Sequence, residues 1–267
     1  ADILYHSSTQ VLINIPSKLH YQAALLCSGC LHGSDTGKVM GVLNWCTLSQ
    51  RREQHILNFM YKVIRNQVPS YVSSIFEEFK NPATRRTSNT EVYQIPIRST
   101  AQFIKSPIPN AISLWNKLPK PLLEYALKFS LPAFKKESNK HYLPKRIISS
   151  TSLINLTRSQ EITLNRARVD LFLKARLFAH QFTFIDSAHC SCGKPETLKH
   201  LFFKCPLCQI NRHALMEEVN NNFYNKISQL TNMDDKLNFL LYGDETLSLA
   251  ELSKLFIIVS NFLHDNK

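Results

Sequence analysis

The stretch His189-Cys190-Ser191-Cys192-Gly193-Lys194-Pro195-Glu196-Thr197-Leu198-Lys199-His200-Leu201-Phe202-Phe203-Lys204-Cys205-Pro206-Leu207-Cys208 carries the strongest structural signal in the chain. Cys190, Cys192, His200 and Cys205 make the pattern C-x-C-x7-H-x4-C. Three thiolates and one imidazole suit a closed tetrahedral site, so Zn2+ is the expected cofactor. Gly193 supplies the turn that so short a cysteine pair needs. The spacing between Cys190 and Cys192 is tighter than zinc knuckles ordinarily use, and Cys208 and His189 are spare ligands. Cys205 is preferred over Cys208 because a following helix is expected to begin at Cys208. Four protein ligands leave no open position for an activated water, so such a site does not imply catalysis.

Outward from this knuckle the charge is uneven. The 267-residue chain carries a net charge of +12. Residues 1–204 hold 27 basic and 12 acidic side chains, and residues 205–267 hold 5 and 8. The stretch Lys80 to Arg146 alone has 13 basic and 3 acidic residues. Such a field attracts polyanions, nucleic acid first among them. Hydrophobic residues make up 44%, which excludes a mostly disordered chain. Only six glycines occur, four of them at Gly29, Gly33, Gly37 and Gly41, which argues against an all-β or dinucleotide-binding architecture. The odd count of seven cysteines, without a signal peptide, points to a reducing intracellular compartment, nuclear or cytoplasmic. The first residue is alanine, so the chain reads as a fragment or a processed product. Leu252 to Leu263 is too short and too polar to span a membrane.

The remaining pattern is mainly α. A first helix is expected from Pro16-Ser17 to about Leu31, and a short one near Lys38–Leu43. Thr47 or Ser49 caps the next, whose Ile56, Phe59, Met60 and Val63 recur at helical spacing. A short helix runs from Ser70 to about Phe79. Val92–Ile97 and Gln102–Lys105 read as short strands, a small hairpin within 92–105. Pro107 and Pro109 open a helix with Ile112, Leu114, Trp115 and Leu118. Prolines at 119, 121, 132 and 144 cut the next stretch into short helices. Ser149–Ser152 is the expected linker between a part spanning 1–150 and a part spanning 151–267. Arg158 to His180 reads as one long basic helix, apolar on both sides and so packed from both. Leu252, Leu255, Phe256, Val259, Phe262 and Leu263 form a regular core stripe in the last helix.

The basic residues near the knuckle are the candidate nucleic-acid contacts: Arg158, Arg166, Arg168, Lys174, Arg176, Lys194, Lys199, Lys204 and Arg212. On one ideal helix Arg158 and Arg176 share a direction, with Arg166 about 80° away. Phe202 and Phe203 are candidates for base stacking, although adjacent aromatics more often pack. Three other signals are set aside. Gly33 to Val39 has the wrong glycine spacing for a phosphate-binding loop, and Val39 stands where a hydroxyl should bind Mg2+. Cys27 and Cys30 lie in an apolar helix and read as core. Asp234-Asp235 reads as a helix start and not as a metal-binding aspartate pair.

The order of several short motifs resembles the carboxy-terminal region of non-LTR (LINE-type) retrotransposon reverse transcriptases. Ala1 to Tyr5 is similar to the segment after the polymerase palm. Leu43-Asn44-Trp45 to Leu48 with Arg51-Arg52, Tyr61 to Ile64, Val68-Pro69-Ser70-Tyr71, and Trp115-Asn116-Lys117-Leu118-Pro119 resemble that family's stretches in sequence order. Cys192-Gly193, Glu196-Thr197, His200 and Cys205-Pro206 resemble its terminal knuckle. The resemblance implies a thumb-side or linker piece plus a CCHC zinc knuckle, without the polymerase or endonuclease motifs. It implies binding of RNA or DNA beside an upstream reverse transcriptase domain, with no enzyme activity in this chain. The alternative is a structural or protein-interaction module, or a decayed relic, with zinc only as a staple.

Overall fold

The computed structural model describes residues 10–80, 93–95, 100–104, 106–142 and 154–266. Among these residues the fold is mainly α. In chain order the helices are α1 (Gln10–Ser28), α2 (Thr36–Leu43), α3 (Leu48–Ile64), α4 (Ser70–Glu77), α5 (Ala101–Ile104), α6 (Pro107–Asn116) and α7 (Lys120–Lys128). They continue with α8 (Leu131–Tyr142), α9 (Arg158–Arg168), α10 (Lys174–Ala179), a π-helical turn (His200–Lys204), α11 (Gln209–Ile227), α12 (Met233–Tyr242) and α13 (Leu249–Asp265). No helix among the described residues is long and apolar enough to cross a membrane.

Local sequence accounts for several helix starts. Thr47, Thr157 and Ser248 each cap a helix through their hydroxyl, with Gln50, Gln160 and Glu251 reaching back to the capping residue. Pro107 occupies the first turn of α6, where its missing N–H costs nothing. The helix expected from Pro16 begins earlier, at Gln10, and carries Pro16 inside it.

The chain divides into two units, one within residues 1–20 and 46–145, the other within 21–45 and 146–267. The expected division at 150 had kept residues 21–45 in the first part. Their apolar side chains decide otherwise. Ala24, Cys30, Val39, Met40 and Val42 are buried in the same cluster as Leu164, Phe256 and Val259. The expected linker at 149–152 lies outside the described residues.

The first unit is built on α3, which packs against α6 and α8. Phe134, fully buried, stacks on Tyr61 at 5.2 Å and lies 5.8 Å from Trp115. Tyr61 Oη and Arg65 Nη2 both donate to the Phe129 carbonyl, at 2.7 and 2.9 Å. The hairpin expected within 92–105 is not formed by its described residues. Gln102–Ile104 belong to α5, and Tyr93 makes an isolated antiparallel bridge to Lys80. Tyr93 is anchored instead by its ring against Phe76, at 5.8 Å. Val92 and residues 96–99 and 105 lie outside the described residues.

In the second unit α13 is the central helix, contacting α9, α11 and α12. Leu255, Phe256, Val259 and Leu263 are fully buried, as their spacing requires. The long helix expected over 158–180 is interrupted. It stops after Arg168, and Asp170 takes a left-handed conformation with φ 61°. Leu171 N–H then bonds the Arg166 carbonyl and Asp170 N–H the Ala167 carbonyl, the two bonds of a Schellman stop. Val169, Leu171, Phe172 and Leu173 are all buried. A regular helix spreads four such residues around its circumference, and leaving helical geometry lets them all face the core.

Candidate metal centre

Cys190 and Cys192 sit on a tight turn closed by backbone bonds. Cys190 N–H donates to the Lys194 carbonyl and Gly193 N–H to the Cys190 carbonyl, both at 2.8 Å. His189 and Pro195 bridge beneath it. Gly193 has φ 83°, a backbone state that side-chain-bearing residues rarely adopt. The other two ligands come from the π-helical turn. Cys205 N–H donates to the His200 carbonyl at 2.7 Å, a five-residue closure that returns Cys205 to the side of His200. Thr197 Oγ1 accepts from His200 N–H and starts the turn. Leu198, Leu201 and Phe202 are buried and fix it to the core.

The result is one cluster. The sulfurs of Cys190, Cys192 and Cys205 and a ring nitrogen of His200 all lie within 4.8 Å of one another, close enough to hold a metal ion. Cys190 Sγ and Cys205 Sγ are 3.6 Å apart, and Cys192 Sγ is 3.1 Å from His200 Nε2. Burial pushes the Cys190 thiol up to about 11. On Cys205 burial is again the largest influence and raises it. The Cys190 thiol and the backbone N–H groups of Cys208 and Leu207 outweigh it and hold Cys205 below its usual range. Those donors favour a thiolate, the form that binds metal.

The spare ligands fall outside this four-atom set, although the Cys208 thiol hydrogen-bonds the Cys205 side chain. Cys208 is buried at the start of α11, and burial pushes its thiol up to about 11. His189 is exposed, with Nδ1 3.3 Å from Ser187 Oγ. Among the described residues no second group of metal-ligating side chains forms, so Cys27 and Cys30 do not make one. Asn232 caps α12, with Asp234 and Asp235 in its first turn.

The structure brings few of the candidate basic residues into one patch. Arg168 is buried, 2% exposed, with Nε donating to the Leu241 carbonyl at 2.7 Å, so it cannot reach a surface phosphate. Arg166 Nε donates to the Gly29 carbonyl and Arg158 Nη2 to the Leu26 carbonyl, at 2.8 and 3.0 Å. Arg212 Nη1 donates to the Cys205 carbonyl at 3.0 Å. Arg176 pairs with Asp170, Lys174 with Glu196 and Lys199 with Asp234. Because the helix breaks at Asp170, the shared direction expected for Arg158 and Arg176 does not apply. Lys194 and Lys204 are exposed and make no ion pair among the described residues. These two, with Lys199, line a groove of about 540 Å3 whose wall includes Cys192 and His200. Phe202 is fully buried and lies tilted against Phe262, ring centres 4.9 Å apart, so it packs and does not present a face to bases.

No protein-family model matches the chain, and no curated protein or solved structure matches it either.

Proposed function

We propose that the chain is a zinc-stapled, non-catalytic module that binds RNA or DNA through phosphate contacts, without strong sequence preference. The observation that carries this is the lysine-lined groove against the metal cluster, with Lys194, Lys199 and Lys204 at its rim. Zinc is the metal of choice for three thiolates and one imidazole. A tetrahedron of sulfurs about 2.3 Å from zinc has an edge of about 3.8 Å, and the Cys190–Cys205 separation is 3.6 Å. Four protein ligands give zinc a folding role. They hold the turn at Gly193 against the π-helical turn and so fix the spacing of the three lysines. On this reading the chain is the carboxy-terminal part of a non-LTR-type reverse transcriptase, where it steadies template or target beside an upstream polymerase.

The test is binding of labelled single-stranded RNA and DNA by the zinc-loaded chain across a salt series. Lys194→Gln with Lys204→Gln removes two phosphate contacts and should lower the salt slope by about 1.4 for a single strand. A folded, zinc-loaded chain that binds neither strand at low salt would overturn the proposal. One observation favours the second reading, a bracing or interaction module: seven of the nine candidate basic residues already have an internal partner.

A further inference from the structure

A second cleft, of about 500 Å3, shares Thr197 and Lys199 with the groove and lies between α9, α10 and α12. Three exposed cationic side chains on separate segments line it, Lys38 of α2, Arg176 of α10, and Lys199, together with the buried Arg168. Among the described residues Asp170 is the one carboxylate in its lining, and it is bonded to Arg176 at 2.6 Å. Lys199 reaches Asp234, which does not line the cleft. Lys38 makes no ion pair among the described residues. Both existing ion pairs are about half exposed and therefore weak, so their cations can turn to a stronger anion.

The buried wall of this cleft holds Arg168. Its Nη1 and Nη2 are buried without a hydrogen-bond partner. Its guanidinium lies 4.5 Å from the Phe256 ring centre and 5.9 Å from that of Tyr242. Ring faces soften a cation's desolvation, but they do not neutralise it. Arg168 has no carboxylate partner among the described residues, and burial pushes it down only to about 10, so it stays charged at neutral pH. A desolvated charge of this kind is offset by an anion held nearby in a medium of low dielectric.

We infer that this cleft is a phosphate pocket, sized for a single nucleotide. A volume in this range is typical of small-molecule sites. Lys38, Arg176 and Lys199 bind the phosphate, and Thr197 and Asn238 offer hydrogen bonds. Ala175, Ala179 and Leu237 face the apolar body, and Arg168 contributes from the wall without contact. The nucleotide is either free or part of a strand, since the chemistry recognised is the same. The inference does not require the strand-binding reading above.

The experiment is calorimetric titration of the full chain with inorganic phosphate, AMP and adenosine. AMP should bind saturably, phosphate more weakly, and adenosine not at all. Lys38→Gln with Arg176→Gln, both exposed positions, should weaken AMP at least tenfold while the thermal midpoint is kept. Arg168→Met should weaken AMP as well, and if that variant fails to fold the surface pair still decides. Adenosine binding as tightly as AMP, or AMP affinity unchanged in the surface double variant, would overturn the pocket. A labelled oligonucleotide added to the AMP complex identifies the source: displacement of AMP means a strand nucleotide occupies the pocket, and joint binding means a free one. AMP binding without oligonucleotide binding would sink the strand reading and leave the pocket standing.

Discussion

Arg166 donates its Nε–H to the Gly29 carbonyl at 2.8 Å, across 137 residues of sequence. Gly29 lies just past the end of α1, where backbone carbonyls lack intrahelical partners. Arg158 does the same for Leu26, and Asn165 Nδ2 for Ser28 at 3.0 Å. Three side chains of α9 thus satisfy the carboxy-terminal carbonyls of α1, two of them cations at the negative end of its dipole. Arg166→Ala should destabilise the second unit by about 1.5–3 kcal/mol, the range for hydrogen bonds from charged donors. Urea unfolding checks this. A stability equal to that of the wild type would mean that the guanidinium faces solvent.

The assignment of Cys205 over Cys208 has a direct test in metal content. The chain should hold one zinc, retained in Cys208→Ala and lost in Cys205→Ala. The physical difference is that the Cys205 sulfur belongs to the four-atom cluster and the Cys208 sulfur does not. Chelation should unfold the knuckle locally, because binding of a structural zinc can contribute on the order of 10 kcal/mol to folding. Elemental analysis of the two purified variants decides the ligand.

Two glycines separate backbone strain from collision. Gly29 has φ 70° and Gly193 φ 83°, both in the left-handed region. A Cβ on Gly29 would collide with the Ile162 side chain, whereas nothing lies within 4 Å of one on Gly193. Gly193→Ala should cost about 1–2 kcal/mol from conformation alone. Gly29→Ala should cost clearly more. Thermal melts of the two variants give the comparison, and equal losses would mean that Ile162 moves aside freely.

Acid should weaken the amino-terminal cap of α13. Glu251 accepts from the Ser248 hydroxyl at 2.6 Å and from its backbone N–H at 2.8 Å. These bonds hold the carboxyl below its ordinary value of 4.5. A group depressed in the folded state contributes stability that is present above its unfolded value and lost as pH falls through its folded value. The wild type should therefore lose stability relative to Glu251→Gln as pH falls through and below the ordinary carboxyl value of 4.5. Thermal midpoints of both proteins across that range test the sign.

The metal cluster was legible because its ligands lie within sixteen consecutive residues, from Cys190 to Cys205, and their chemistry allows few alternatives. The cap at Thr47 was nearly as local. The break at Asp170 was hidden because the stop uses aspartate, where a glycine would have marked it. The fates of Arg158, Arg166 and Arg168 were hidden for another reason. Each bonds a carbonyl 73 residues or more away, and a row of basic residues reads the same whether it faces phosphate or the end of another helix.

By itself, the sequence determined the mainly helical class, the cluster of Cys190, Cys192, His200 and Cys205, and the core stripe of the last helix. These depend on periodicity and short spacings, which act over a few residues. Only the tertiary structure decided that residues 21–45 join the second unit and that Arg168 is buried against Phe256. It also brought Lys38, Arg176 and Lys199 around one cleft. Those outcomes come from burying apolar surface and satisfying backbone carbonyls between distant segments, and such pairings leave no local periodicity to read.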